Sequence, residues 1–283
     1  MKLQSYQSAN GPRTAVQLGD QLLDLHDANP DIPCDICEIF QRDRWLDLLR
    51  ETVKQGGTTF PIDSVTLLPP IPTPQKIVCI GLNYADHAAE TGDSIPDKPV
   101  VFNKFPTALA QNGDTISLPR VSQQVDYEAE LVVVIGKKGK DISRENAWEH
   151  VAGYCCGNDV SARDWQFLPP ARQWFIGKTF DGFAPIGPCL TTVDEIPQPV
   201  TLDVSLRLNG QTMQHSNTRQ FIFDIPTLLA WVSQVCTLVP GDLIFTGTPP
   251  GVGIGRKPPV FLHSGDVCEV EIEGLGVLKN TFR

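Results

Sequence analysis

A strand-rich α+β fold with few helices is predicted for this chain, on three observations. The apolar run Leu131-Val132-Val133-Val134-Ile135 has the length and β-branching of a buried strand. Residues 201–214 alternate apolar and polar side chains around Asn209-Gly210, a dipeptide suited to a two-residue type I′ hairpin turn. Helical patterns longer than two or three turns are confined to 39–55 and 224–238.

Residues 1 to about 70 carry a short strand pattern, a polar turn at Asn10-Gly11-Pro12 and the helix near 39–55. The stretch Leu68-Pro69-Pro70-Ile71-Pro72-Thr73-Pro74 removes backbone donors and favours extended chain, so a domain seam is expected near residue 72. On that reading 1–72 is a small N-terminal α+β domain with its proline-rich linker, and 73–283 is the larger domain. The β-branched segment Lys76-Ile77-Val78-Cys79-Ile80 predicts a buried strand, followed by a short helical segment at 83–91 and a strand at 98–104. Residues 125–136 form the strongest strand pattern. A short helix at 143–150, with Ser143 as N-cap, leads into a strand at 151–158. Asp224 heads the helix at 224–238, where Pro226 is tolerated in the first turn. Strands at 243–246 and within 260–282 complete the pattern.

The formal net charge of −10 would repel duplex nucleic acid and anionic membranes, so neither is expected as a partner. The apolar run at 131–135 is far too short to cross a bilayer, and no leader pattern follows Met1-Lys2-Leu3. A cytoplasmic location is therefore expected. Eight cysteines, mostly inside apolar segments, read as free thiols. Cys34 and Cys37 form a CxxC without the second pair or the histidines that a zinc site needs.

The chemistry centres on acids. In a strand, alternate residues share a face, so Asp126, Glu128 and Glu130 point one way, with the two glutamates roughly 6.5–7 Å apart along the backbone. Like charges at the head of an apolar strand become tolerable with a cation between them. Asp159 ends the predicted strand at 151–158, and the interval from Glu130 holds a helix and a return strand, so a neighbouring strand can deliver a third carboxylate. Such a set suits a hard divalent cation, Mg2+ or Mn2+. A solvated acidic strand face is the alternative.

Two positive groups stand out by their sequence setting. Lys178 lies among aromatics in Trp174-Phe175-Ile176-Gly177-Lys178-Thr179-Phe180, where its ammonium should seek a carboxylate or an anionic substrate. The Gly-Lys-Thr string is no phosphate loop, because Arg172 stands where that pattern needs glycine. Arg163 can bind a carboxylate bidentately, of a substrate or of a nearby acid. His87 and Glu90 share a helical face if 83–91 is helical, which would let Glu90 orient His87 as a base. Gly247, Gly251 and Gly253 let backbone approach a ligand closely, or simply build a tight loop.

Taken in order, GLNYADHAAE, DYEAELVVVIGKKGK, GYCCGNDVSARDWQ, GKTFD, LNG and PGDLIFTGTPPGVG resemble the fumarylacetoacetate hydrolase family from about Lys76 onward. WVSQ and RKPPVFL are similar to its fumarylacetoacetate hydrolase domain-containing protein 2 group in particular. The resemblance implies a mixed β-roll and a homodimer. It implies Mg2+ or Mn2+, sometimes Ca2+, held by Glu128, Glu130 and Asp159. It assigns substrate contacts to Gln166, Lys178 and Thr248 and maps a His–Glu pair onto His87 and Glu90, so His87, Glu90 and Lys178 are the catalytic candidates, with Arg163 adding positive charge around the bound anion. The extra acidic metal ligand of fumarylacetoacetate hydrolase is replaced by Asn83. The implied substrate is a small 2-keto or enol acid reacting through a metal-stabilised enolate, with oxaloacetate keto–enol tautomerisation the leading outcome. Hydrolysis of a C–C bond in an acylpyruvate and decarboxylation of oxaloacetate use the same parts. A non-catalytic metal-binding β module is the rival of another class.

Overall fold

The apolar run becomes the centre of the molecule. It lies in strand Ala129–Ile135, every residue of which is buried. Leu131, Val133 and Ile135 enter one hydrophobic core, and Val132 and Val134 enter another. Burial on both faces explains why the strand shows no polar alternation. In the computed structural model, which describes residues 1–92 and 94–283, this strand belongs to a twelve-stranded mixed sheet. The order across that sheet is Thr59–Pro61, Gln21–Asp24, Gly11–Leu18, Lys2–Ser8, Ala184–Thr192, Val151–Asn158, Ala129–Ile135, Leu243–Phe245, Ile77–Gly81 and Val100–Lys104. Thr66–Leu68 pairs beside Lys2–Ser8, and Leu109–Gln111 beside Ala184–Thr192.

A five-stranded sheet, ordered Gln211–Asn217, Asp203–Leu208, Val267–Ile272, Gly276–Phe282 and Thr115–Ile116, contributes Val204, Leu206, Val270, Ile272 and Leu278 to the first core. The helix Ile225–Val235 adds Leu228 and Leu229 to it. Leu25, Ile36, Ile39, Phe40 and Leu49, from the N-terminal helices, fill the second core. The architecture is the strand-rich α+β fold that the patterning predicts.

Two local expectations hold in atomic detail. Asn209 and Gly210 both have positive φ, 51° and 81°, as a type I′ turn requires. Asp224 caps its helix by accepting from the Thr227 amide at 2.9 Å.

Others are corrected. Residues 39–55 are not one helix: Ile36–Phe40 and Trp45–Gln55 are separated by Arg44 at φ 52°, a left-handed conformation that no helix passes through. Residues 144–150 form a 3-10 helix, and Ser143 makes no side-chain cap bond to it. Within 260–282 the strands begin only at Val267. The strand expected over 125–136 is broken into Val125–Asp126 and Ala129–Ile135. At the break, side chains take over the ladder bonds. The Tyr127 amide donates to its neighbour's Asp126 Oδ1 at 2.8 Å, and the Glu128 amide donates to Asn158 Oδ1 at 2.8 Å.

Candidate active site

That break aims the acids. Glu128, Glu130 and Asp159 each offer an oxygen within 4.8 Å of the others, and all three are buried. Antiparallel pairing of Ala129–Ile135 with Val151–Asn158, which sets Ala129 opposite Asn158, brings Asp159 alongside Glu128. The Asp159 amide donates to the Glu128 carbonyl at 2.8 Å and fixes the approach.

Cations surround the acids unevenly. Lys178 Nζ donates to Glu128 Oε2 at 2.7 Å and to Asp159 Oδ2 at 2.9 Å. Arg163 Nη2 sits 2.7 Å from Glu128 Oε1 and 2.9 Å from Asp126 Oδ2. Among the described residues Glu130 has no such partner, and its Oε2 accepts only from the Gly247 amide, at 2.8 Å. Charge states follow from these contacts. Burial raises the Glu128 carboxyl, but Lys178 and Arg163 more than offset it and hold the group below its ordinary range. Burial pushes Glu130 well above the carboxylate range, and the charges of Asp159 and Glu128 push the same way. Burial pulls the Lys178 ammonium down, and Asp159 and Glu128 reverse that, leaving it raised and charged.

The oxygens present fit a hard divalent cation. All three donors are carboxylates, and Glu130 bears the like-charge repulsion that a cation would relieve. Asp159 Oδ1 is buried and pairs with Lys104 Nζ at 2.6 Å. That ammonium also donates to the carbonyls of Val160 (3.1 Å), Phe183 (2.7 Å) and Lys178.

Lys104 was not singled out by the sequence. It is fully buried, and it ties Asp159 to the carbonyl of Lys178, hence one acid to the backbone of its main cation. A lysine closing a short strand after Val100-Val101-Phe102-Asn103 is a weak signal. Asp126 is similar. It faces protein: Oδ1 accepts from the Gly253 amide at 2.7 Å, and Oδ2 accepts from the Ile254 amide and from Arg163 Nε, each at 2.9 Å. It binds the glycine-rich loop to Arg163.

Two glycines in that loop are required by space. Gly247 has φ +99°, and a Cβ there would meet Asn83 Cβ at 2.7 Å. At Gly253 a Cβ would lie 1.9 Å from the Val260 carbonyl oxygen and 2.6 Å from Asp126 Oδ1. Thr248 Oγ1 donates to the Ala129 carbonyl at 2.9 Å and accepts from Gln214 Nε2 at 2.9 Å, while Gln214 Oε1 accepts from the Ala129 amide at 2.8 Å. Gln214, also unforeseen, thereby stitches the loop to the strand that carries Glu130.

Asn83 is a brace. Its Nδ2 donates to the Thr246 and Phe223 carbonyls at 2.8 and 3.1 Å, and its Oδ1 accepts from the Phe223 amide at 2.8 Å. These contacts commit its polar atoms to the backbone. Gln166 Oε1 accepts from Arg163 Nη1 at 2.9 Å. The helical segment observed is Ala85–Thr91, and on it His87 Nδ1 lies 3.2 Å from Glu90 Oε2. Glu90 in turn accepts from the Gly251 amide at 3.1 Å through both oxygens.

A cavity of about 290 Å3 gathers these groups: Glu128, Glu130, Arg163, Gln166, Lys178, Thr248 and His87 all line it. Glu90 and Asp159 stand behind His87 and Lys178. Arg172, Phe167 and Trp174, which the sequence did not place at the site, also border the cavity.

The chain is similar to known proteins in sequence and in fold. A family model described as fumarylacetoacetate (FAA) hydrolase C-terminal matches residues 76–283. The chain is 44% identical to oxaloacetate tautomerase fahd2, mitochondrial, of Xenopus laevis, over 99% of this chain and 89% of that protein. It is 44% identical to the human oxaloacetate tautomerase FAHD2A, mitochondrial, over 95% and 87%. Among solved structures it superposes on fumarylacetoacetate hydrolase from Exiguobacterium antarcticum with TM-score 0.84 and 38% identity, covering 100% of this chain and 99% of that one. It also superposes on 5-carboxymethyl-2-hydroxymuconate delta-isomerase from Mycobacterium smegmatis with TM-score 0.79 and 34% identity, covering 100% and 98%. The cytoplasmic expectation is overturned here, since the frog and human relatives are both named mitochondrial. Composition and charge report on the folded domain, whereas compartment is set by targeting, so the acidic composition carried no information about it.

Proposed function

We propose that this chain, which belongs to the fumarylacetoacetate hydrolase family, is a divalent-metal-dependent enzyme that interconverts the keto and enol forms of oxaloacetate. The observation that carries the reading is the juxtaposition, in one cavity, of the buried triad Glu128, Glu130 and Asp159 with Lys178 and the His87–Glu90 pair. Relatives named oxaloacetate tautomerase support the substrate. The all-oxygen donor set favours Mg2+ or Mn2+, with Ca2+ the larger alternative. A bound divalent cation would supply Lewis acidity toward the substrate's keto oxygen.

The chain's own residues do the rest. Glu90 accepts the His87 Nδ1 proton, which leaves Nε2 as the basic nitrogen for the substrate. His87 takes a proton from C3 of the keto acid and, in the reverse direction, returns one to that carbon; the enol oxygen gains or loses the matching proton. Lys178 keeps positive charge beside the developing oxyanion. Arg163, held by Asp126 and Glu128, orients Gln166, which lines the cavity with Thr248 as a substrate contact. The boundary near residue 72 belongs to the same proposal: the site residues all lie beyond it, and 1–72 provides sheet edge and second-core packing. So does a homodimer, supported by the exposed apolar side chains of Ile95, Phe105 and Val121 and checked by light scattering.

Purified protein with Mn2+ is offered the enol of oxaloacetate, followed by ultraviolet absorbance, alongside a pyruvate assay. Enol loss without pyruvate, reduced about 10²–10⁴-fold in His87→Gln, is expected. Pyruvate release would instead indicate decarboxylation, and turnover of acetylpyruvate would indicate the hydrolase. No turnover of any of them by the metal-bound protein would sink the enzyme reading.

A further inference from the structure

We infer that Arg172 binds the distal carboxylate of the substrate and so selects dicarboxylic over monocarboxylic keto acids at this site. The inference rests on the proposed metal-dependent reading and extends it to a specificity-determining residue. Each other cation at the site is committed to protein. Lys178 is held by Glu128 and Asp159, Arg163 by Asp126 and Glu128, and Lys104 by three carbonyls and Asp159. Arg172 borders the same cavity, and among the described residues no carboxylate lies within ion-pair distance of it. Its guanidinium rests over the Phe167 ring at 5.4 Å, an arrangement that holds the planar group without using its donors.

The backbone around it is fixed to the site. The Gln173 amide donates to the Gln166 carbonyl at 2.9 Å. Gly177 packs so closely on Gln166 that a Cβ would lie 2.5 Å from the Gln166 amide nitrogen. Trp174 packs on Gly81, where a Cβ would lie 2.4 Å from the ring, and its ring meets Phe102 edge-on at 5.4 Å. Arg172 is thus carried at the mouth of the cavity, while the acids and Lys178 form its floor.

Charge balance points the same way. With Glu130 ionised, as holding a metal would require, four carboxylates at the floor (Asp126, Glu128, Glu130, Asp159) face three cations (Lys104, Arg163, Lys178), one net negative charge. A divalent cation turns that into one positive charge, enough for a monoanion. A dianion needs one more positive charge, and Arg172 is the free group that brings it. The cavity, about 290 Å3, lies at the lower end of ligand-site volumes and suits an acid of four or five carbons.

The test uses Mn2+-loaded protein and two stable four-carbon hydroxy acids, malate and 2-hydroxybutanoate. They carry the same chelating end and differ in the distal carboxylate. By calorimetry the wild type should bind malate at least tenfold more tightly. Arg172→Gln should lose most of that preference by weakening malate, with 2-hydroxybutanoate changed less than twofold, and Arg172→Lys should recover part of it. In turnover, Arg172→Gln should raise KM for oxaloacetate about tenfold or more with kcat within twofold. A wild type without preference, or a preference intact in Arg172→Gln, overturns the assignment. Should wild type fail to tautomerise oxaloacetate, the proposed reaction falls, while the malate contrast still decides Arg172.

Discussion

Glu130→Gln should make the metal-free protein more stable and deprive it of stabilisation by metal. Glu130 is almost fully buried, has no cationic partner, and shares a 4.8 Å cluster with Glu128 and Asp159. Two unit charges at that separation repel by about 3.5 kcal/mol at an effective dielectric of about 20. Lys178 and the proton that Glu130 retains because of its raised pKa absorb part of this. Glutamine keeps a carbonyl oxygen for the Gly247 amide and removes the charge. A gain of about 1–3 kcal/mol is expected without metal, or roughly 2–10 °C in Tm. The sign with pH follows from the raised pKa. An ionised Glu130 destabilises the fold, so wild-type stability falls as pH rises from the ordinary carboxylate pKa, about 4.3, through the raised value, and the variant's advantage widens over that window. Metal shifts the balance by about 2.3 kcal/mol toward the wild type. Mn2+ at about 100 times its Kd stabilises the wild type by about 2.7 kcal/mol. Removing one charged ligand should weaken binding by about 100-fold or more, leaving about 0.4 kcal/mol at the same concentration. Thermal melts with chelator and with Mn2+, at several pH values, read both effects. A variant that melts below wild type in chelator and retains the full Mn2+ shift would refute the reasoning, because Glu130 would then be neither repelled by its neighbours nor a ligand.

Three further outcomes are expected. Lys104→Met strips a buried ammonium from Asp159 and three carbonyls, so urea unfolding should show a loss of about 3–5 kcal/mol; a loss under about 1 kcal/mol would mean the lysine is dispensable. Asn83→Asp converts a brace into an acid and should destabilise by about 1–3 kcal/mol through the lost donors to Thr246 and Phe223, without tightening Mn2+ binding by calorimetry. Tighter Mn2+ binding in that variant would show that position 83 reaches the metal. Asp126→Asn leaves buried Arg163 short of a counter-charge and should cost about 3–5 kcal/mol in chemical denaturation, with amide exchange faster at Gly253 and Ile254; unchanged exchange at those amides would contradict the loop-tethering role.

Much of the site was legible because its signals are local. Glu128 and Glu130 are two apart in a strand pattern, and His87 and Glu90 are three apart in a helical one, so periodicity alone sets each pair on one face. The ordered motifs then linked Asp159, Gln166, Lys178 and Thr248 to them. Lys104, Gln214 and Arg172 were missed because nothing nearby in the chain marks them. Lys104 meets Asp159 across 54 intervening residues, Gln214 meets Thr248 across 33, and Arg172 gains meaning only from the absence of a partner in space among the described residues. The break at 127–128 was equally hidden, since it depends on the Asn158 side chain reaching across from the next strand.

By itself the sequence determined the strand-rich class, the Asn209-Gly210 turn and the buried central strand, all consequences of residue type and short-range spacing, whereas the three acids were grouped only through the ordered motifs. Tertiary structure alone decided which charges are neutralised: Arg163 is tied to Asp126 and Glu128, Asn83 braces backbone, and among the described residues Glu130 has no cation and Arg172 no carboxylate to pair with. The reason is physical. Periodicity orients a side chain relative to its own element, but the energy of a buried charge depends on what other elements bring within about 4 Å of it, where low dielectric makes each contact count.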